Sequence, residues 1–591
     1  MNSLRHIIPF LKKSKNKYFL GILILIIIDA LQLITPRVIG YLTDDLLTGH
    51  ATVNKLFIYI LIILGIAGGV AIGRFFWRIL IIGSSRKMEA WLREQLFIHL
   101  ETLPTSFFNT HKTGDLMALA TNDINSVRMA FGIGIVMVTD AIFLTAMTLF
   151  IMITNLNLKL TLLAVLPMPI IAISVTLLGF RIRRRFKKVQ EAFGRLTDKT
   201  QETFSGIRIV KSFVQEDSEL ENFRFFNEDN YKVNMSLIRV WSVMFPLVSF
   251  ITSLSLIVAL TFGSQFVIDG TMTLGEFVAF ITYLGKLAWP MMAIGWLINM
   301  MQRGFVSLGR INEILDVEPA YDEDRAHLDV TYEAPDSIET TNFSIRFKNV
   351  SYTYPGANFP ALDDVSFEIE TGQTLAIVGR TGAGKTTITN LLLRLYDDYE
   401  GSIELGNTSL RKYPVSQIRQ LIGFVPQDNF LFSRSVYKNI LFSGVESDKN
   451  KVIEFSELAQ LHNEVESFSD GYDTMLGERG VNLSGGQKQR LSIARALIKN
   501  PPILVFDDAL SAVDTKTEDR LLDGLKSQTA EKTTIIIAHR LSTVRHADHI
   551  IVIDDGKIAE SGDHDELLKF GGIYADMHNK QMLEERIREE A

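Results

Sequence analysis

Gly379-Arg380-Thr381-Gly382-Ala383-Gly384-Lys385-Thr386 follows the apolar run 375–378 and leads into a helix-like stretch, 387–396, that opens on Thr387. Strand, Gly-rich loop and helix in that order are what a phosphate cradle requires. Glycines at 379, 382 and 384 let consecutive backbone N–H groups close around β- and γ-phosphates. The helix N-terminus adds a partial positive charge, and Lys385 adds a full one. Thr386 is positioned to ligate magnesium. A chance Gly-rich turn would have neither the Lys-Thr ending nor these flanks, so the stretch predicts a site for ATP and Mg²⁺ on an α/β domain.

Outward from this loop, hydropathy divides the 591 residues into two halves. The mean hydropathy of +0.17 is unevenly spread. Residues 1–310 contain six apolar stretches, at 18–41, 57–83, 133–154, 158–180, 241–268 and 275–300, each long enough for a ~30 Å hydrocarbon core. Basic residues crowd the flank before the first span (Arg5, Lys12, Lys13, Lys15, Lys17) and the flank after the fourth (Arg181, Arg183, Arg184, Arg185, Lys187, Lys188). Both flanks are therefore expected in the cytoplasm. An even number of spans returns the chain to that side, so both termini belong there and the protein is expected in a bacterial inner (plasma) membrane. The first span is too long for a cleaved signal peptide and has no small-residue cleavage site after it.

The polar excursions 84–130 and 181–238 keep a helical period, which predicts membrane helices running on into the cytosol with short turns near 109–114 and 205–213. The acidic, unpatterned stretch 316–342 reads as a linker. The expected domains are thus 1–315 in the membrane, 316–342 as linker and 343–591 as the nucleotide-binding domain. With no cysteine, disulfides and thiolate metal sites are excluded. A net charge of −7 gives no support for nucleic-acid binding.

Two further runs make the reading specific: Leu483-Ser484-Gly485-Gly486-Gln487 and Ile503-Leu504-Val505-Phe506-Asp507. Together with the phosphate loop they resemble the nucleotide-binding domain of ABC transporters. Six spans fused ahead of it resemble the half-transporter form of the type IV ABC exporters, and the resemblance covers essentially the whole chain. It implies a polytopic α-helical membrane domain of six transmembrane helices fused to a cytosolic α/β P-loop ABC ATPase domain.

Carried over by the resemblance, Tyr354, 25 positions before Gly379, stacks on adenine, against the alternative of a core strand tyrosine. Gln427 touches magnesium and reports to the membrane domain, and Asp507 is the magnesium-side acid. Ser511-Ala512-Val513-Asp514 matches the D-loop. His539 matches the switch histidine at the γ-phosphate, against the alternative of a structural histidine. The segment 474–480 resembles the exporter element that meets the cytoplasmic loops. In the family, the helix carrying Ser484, Gly485, Gly486 and Gln487 caps the ATP held by another subunit, so a second half-transporter is the expected partner.

One position departs from the family pattern. After the magnesium-side aspartate these exporters usually carry a glutamate that orients or deprotonates the attacking water, and this chain has Asp508. Losing one methylene retracts the carboxylate by ~1.5 Å, whereas a general base works about 2.6–3.2 Å from its proton. Either the backbone shifts to compensate, or the chain resembles the degenerate-site subunit of bacterial heterodimeric multidrug exporters of the BmrC/BmrD and LmrC/LmrD type.

The expected function is ATP-driven export of hydrophobic or amphipathic compounds. A homodimeric lipid flippase is the alternative, and an ATP-gated channel or regulatory subunit is a more distant one. Asp29, near the middle of the first span, and Asp140, in the third, are candidates to meet cationic substrates; helix-packing hydrogen bonds or salt bridges would explain them equally well. Membrane lipid is an expected partner and nucleic acid is not.

Overall fold

The computed structural model describes residues 4–321, 341–444, 448–513, 517, 518, 520, 521, 523, 524 and 531–590. Most of the expected linker (322–340) and Asp514 lie outside these residues. The chain divides into two compact units, Met1–Ile98 with Thr113–Val317 and His99–Lys112 with Glu318–Ala591.

Eight helices build the first half of the chain: α1 (Ile8–Leu47), α2 (Val53–Glu101), α3 (Thr105–Thr110), α4 (Thr113–Asn155), α5 (Leu158–Ser205), α6 (Ile207–Ser212), α7 (Glu216–Ile268) and α8 (Leu274–Leu315). The six long ones each carry an apolar window able to cross a membrane, and they contain the six stretches read from hydropathy. At 48 to 53 residues, α2, α5 and α7 extend about 70–80 Å, more than twice the hydrocarbon thickness, so their polar ends continue beyond it. The turn expected near 109–114 falls at residues 111 and 112, just after the short helix α3, whereas the tip expected as a turn at 205–213 carries the short helix α6. Pro104, with φ −66°, precedes α3, a residue pre-set for helix entry. Gly206 closes α5 by donating its N–H to Glu202 O at 2.9 Å.

The packing of α1 against α8 shows how the membrane unit is held. A Cβ on Gly275 would lie 2.0 Å from Gly40 O, so the two backbones approach as only glycine permits. Asp44 of α1 caps the start of α8, accepting from Thr273 Oγ1 and Gly275 N, both at 2.7 Å. Thr273 and Glu276 complete a reciprocal capping box. Deeper in the seam, the buried Tyr283 hydroxyl donates to Leu33 O at 2.6 Å, which satisfies a polar group that has no water to turn to.

The second unit contains two sheets, with strands β1 (Ile345–Tyr352), β2 (Leu362–Ile369), β3 (Thr374–Gly379), β4 (Glu400–Leu405), β5 (Thr408–Ser409), β6 (Ile422–Val425), β7 (Ile503–Asp507), β8 (Thr533–Ile537), β9 (His549–Asp554) and β10 (Lys557–Gly562). An antiparallel sheet runs β2-β1-β4-β5 and a mixed sheet runs β10-β9-β3-β8-β7-β6. In the second, β3 is parallel to β8 and β9, and β7 is parallel to β6 and β8. Leu375, Ala376, Ile377 and Val378 are all buried, the continuous apolar run of a strand covered on both faces. Three helices matter for the site: α9 (Lys385–Leu392) after β3, α10 (Gly485–Leu497) before β7, and the terminal α11 (Ile573–Glu590).

Residues 99–112 belong to this unit. Asn109, on α3, donates to the Tyr396 hydroxyl at 2.7 Å, and Ala320 N donates to Thr102 O at 3.0 Å. Tyr396 packs edge-on to Tyr354, with ring centroids 5.2 Å apart. A segment that leads directly into α2 and α4 therefore touches an aromatic neighbour of the nucleotide loop.

Candidate functional site

In an open α/β sheet, ligands sit beyond the carboxyl ends of the parallel strands. Here β3 ends in Gly379, β7 in Asp507, and β8 is followed at once by Ala538 and His539. Because β8 lies between β3 and β7, the three chain segments converge at one edge. The result is a cleft of about 450 Å³ lined by Tyr354, Thr381, Gly382, Gly384, Lys385, Thr386, Thr387, Gln427, Asp507 and His539, among others. Ten residues singled out from the sequence thus meet in one place, although 185 positions separate the outermost pair (539 − 354 = 185).

The loop depends on glycine at the ends of its turn. Gly379 has φ 151° and a Cβ there would fall 2.1 Å from Ile553 O; Gly384 has φ 105° and a Cβ would fall 2.2 Å from Ala361 O. No side chain fits either position. Lys385 is buried and donates to Gly379 O at 2.9 Å and Arg380 O at 2.8 Å, while Ala383 N returns to Arg380 O at 3.2 Å. Gly379, Arg380 and Ala383 form the frame of the loop rather than the surface of the cleft. Burial holds the Lys385 ammonium below its ordinary range, against the pull of Asp507 and Asp508. An anion brought to this loop gains a charge partner that water screens poorly. The Tyr354 hydroxyl lies 3.2 Å from Thr387 Oγ1, and Asn390 donates to it at 3.3 Å, which fixes the ring at the mouth of the cleft.

A magnesium ion fits the acidic end of the site. Asp507 is 1% exposed, and its Oδ2 is buried with no hydrogen-bond partner. Burial pushes its carboxyl above the usual range, with a hydrogen bond from Thr386 opposing that shift. An unpaired carboxylate oxygen, a threonine hydroxyl and the Gln427 amide on the same cleft are hard oxygen donors of the kind Mg²⁺ selects.

The other expected residues stand apart from the cleft. Ser484 caps α10 in a capping box with Gln487: Gln487 N donates to Ser484 Oγ at 3.3 Å, and Ser484 N donates to Gln487 Oε1 at 2.8 Å. Gly485 and Gly486 form the first turn, against Ala512. None of the four lines the cleft of its own chain, and their helix N-terminus is a ready site for an anion from elsewhere. Asp508 is half-buried with φ 48° and does not line the cleft either. Asp29 is buried and Asp140 half-buried, far along the chain in the membrane unit. Arg74 acts electrostatically on both, and Lys286 acts on Asp29.

Three residues that sequence reasoning passed over organise the site from behind. Gln489 of α10, 4% exposed, donates to Asp508 O at 3.3 Å and Ser511 Oγ at 3.1 Å, and accepts from Ala512 N at 2.9 Å. Arg540, next to His539, donates to Ser511 O and Val513 O. The stretch 511–513 is thus tied both to α10, the signature helix that the Leu483–Gln487 run opens, and to the switch loop that carries His539 after β8. Gln581 of α11 donates to His539 O at 2.6 Å and accepts from Leu541 N at 2.8 Å. Gln489 follows the signature motif closely enough to have drawn notice; nothing in the polar sequence of α11 marks Gln581.

Comparison with known proteins agrees with this geometry. Residues 18–291 match the ABC transporter transmembrane region family, and 362–511 match the ABC transporter family. The chain is 40% identical over 575 residues to the probable multidrug resistance ABC transporter ATP-binding/permease protein YheI of Bacillus subtilis, covering 97% of each. It is 37% identical to the multidrug resistance-like ATP-binding protein MdlA of Escherichia coli, covering 97% of this chain and 96% of that one. The solved structure of a bacterial Atm1-family ABC exporter with ATP bound superposes with a TM-score of 0.77 at 25% identity, over 96% of this chain and 99% of that one. Six membrane-capable helices joined to an ATP cleft make this chain a member of the ABC transporter family, a multi-pass bacterial inner-membrane exporter that couples ATP hydrolysis to transport.

Proposed function

We propose that the chain exports hydrophobic and amphipathic compounds as one half of a heterodimer, and that its own ATP site is the slower of the pair. Both named relatives carry multidrug resistance in their names, which supports the substrate range.

The slow site rests on one observation: the backbone at Asp508 is clamped on both sides. Its N–H donates to Ile537 O at 2.8 Å, and its carbonyl accepts from Gln489 and from Ser511 Oγ. A base one methylene short works normally only if its main chain advances by ~1.5 Å, and moving it would break bonds to β8, to α10 and within its own loop. A misplacement of that size costs on the order of 100-fold in rate.

The rest of the mechanism follows from positioning and charge. Lys385 and the backbone N–H groups from Thr381 to Thr386 hold the β- and γ-phosphates. Thr386, Asp507 and Gln427 hold Mg²⁺, which when bound neutralises charge on the leaving phosphates. Tyr354 stacks on the adenine, and His539 bonds the γ-phosphate. Asp508 orients water weakly. The exposed N-terminus of α10, with Ser484 to Gln487, closes the partner's site, where a full-length glutamate does the rapid hydrolysis.

Variants of the two features separate the two roles. With a glutamate-bearing partner, Asp508→Asn is expected to leave most ATP turnover, while disrupting Ser484 removes most of it. A homodimer that hydrolyses ATP briskly and exports substrate, and loses both with Asp508→Asn, would refute the proposal and make the homodimeric alternative the correct one.

A further inference from the structure

We propose that a cavity among α5, α7 and α8 binds amphipathic organic anions, and that this is where the exporter takes up substrate; the second part rests on the export reading above. The cavity measures about 440 Å³ and lies at the basic-flanked ends of these helices, within the size range of small-molecule sites. Gly179 and Arg183 come from α5, Trp241 from α7, and Trp296, Asn299 and Arg303 from α8.

Its charge is positive and uncompensated. Arg183 donates to Asn299 Oδ1, and Asn299 is in turn anchored by donating to Gly295 O at 2.8 Å, so a neutral amide rather than a carboxylate aims the guanidinium. Elsewhere on these helices arginines do pair with acids: Arg195 with Asp229 at 2.6 Å and Arg310 with Asp123 at 3.0 Å. Among the described residues, Arg183 and Arg303 have no such partner. Planar guanidinium groups match carboxylate, sulfonate and phosphate.

The apolar surface beside this charge is aromatic and held in place. Trp296 is 43% exposed and stands edge-on to Trp289 at 6.1 Å; Trp241 is 52% exposed and stands edge-on to Phe245 at 6.2 Å. Gly179 borders open space, where a Cβ would meet nothing within 4 Å. Arginine and tryptophan also occur as anchors along a membrane interface, but anchors spread along lipid, whereas these converge from three helices on one hollow.

The carboxylates that first suggested a cationic substrate, Asp29 and Asp140, do not line this cavity. The charge it offers to a ligand is that of Arg183 and Arg303, which repels cations.

The test uses the full chain in phosphatidylcholine nanodiscs without nucleotide, reading energy transfer from tryptophan to pyrenebutyrate or to a pyrenebutyl-trimethylammonium ion. The anion is expected to bind at least about tenfold more tightly than the cation, the scale of one charge-assisted contact. R183Q/R303Q is expected to erase that preference, R183K/R303K to keep most of it, and Gly179→Leu, which fills the hollow, to weaken both ligands. Gel filtration and melting temperature confirm that each variant is folded. Phosphatidylglycerol added to the disc either displaces pyrenebutyrate, which makes a lipid headgroup the natural anion, or does not, which makes it a soluble amphiphile; both outcomes require the site. Equal affinity for the two charges, or an R183Q/R303Q variant that binds as the parent does, overturns the proposal. Because no nucleotide is present, that failure is distinct from a failure of ATP-driven export in vesicles.

Discussion

Replacing Gln581 with leucine removes both hydrogen bonds that fix the switch loop from behind while keeping a side chain of similar bulk. The bonds are to His539 O at 2.6 Å and from Leu541 N at 2.8 Å. Leaving a buried backbone group unpaired costs about 1–3 kcal/mol, and both contacts here are half-buried, so the low end applies: about 1 kcal/mol each and about 2 kcal/mol together. That energy bears on the fraction of molecules in which the loop presents His539 correctly, and 1.4 kcal/mol is a factor of about ten. ATP turnover by the chain's own site is therefore expected to fall about three- to thirtyfold, with KM for ATP changed less than twofold, because Lys385, Thr386 and Tyr354 are untouched. The rate is read in the assembled transporter with the partner's phosphate loop disabled, so that only this site contributes. Gln581→Glu, which can still accept from Leu541 N but cannot donate to His539 O as a carboxylate, is expected to fall between parent and leucine variant. An unchanged kcat in Gln581→Leu, or a loss confined to KM, refutes a positioning role for this residue.

Two further outcomes can be checked. Asn109→Ala or Tyr396→Phe removes the bond between α3 and the tyrosine behind the nucleotide loop; at about 1 kcal/mol for an exposed hydrogen bond, transported substrate per ATP hydrolysed is expected to fall about two- to fivefold while ATP affinity is retained, and the double variant is expected to be no worse than either single one. In this cysteine-free chain, a single cysteine at position 271 is expected to react with a membrane-impermeant maleimide only from outside the cell and one at 590 only from inside, and the reverse pattern refutes the assigned topology.

Much of the architecture was legible because its signals are contiguous. Each membrane span is a run of apolar residues, and each nucleotide motif lies on a few consecutive positions at a strand end. The phosphate loop could be read from eight residues because backbone amides make the cradle, and only glycine permits the turns at 379 and 384. The cytoplasmic tips were less legible. Residues 105–110 and 207–212 are short segments of mixed polarity, and propensity over six residues decides little. Legibility was lowest where single polar side chains act across the fold. Gln581 lies 42 positions from His539 in a helix whose sequence reads as an ordinary solvated one. Arg183 looked like one member of a basic flank until its bond to Asn299, 116 positions away, gave it a direction.

Asp508 joins the two cases. The substitution itself is visible in the sequence, yet its consequence is not, because a carboxylate one carbon short is harmless on a mobile backbone and costly on a fixed one. What fixes it is tertiary: Ile537 O on the neighbouring strand, Gln489 on the signature helix, and Ser511 in the loop beyond. Loosening that clamp is therefore informative in a way that changing the acid is not. Gln489→Ala removes its bonds to the 508 carbonyl and the 512 amide together, leaving that carbonyl held by Ser511 Oγ alone. If a rigid main chain is what slows this site, the variant gains reach for Asp508 while losing order in the stretch beside the partner's nucleotide, so its own hydrolysis and its partner's are affected in opposite directions.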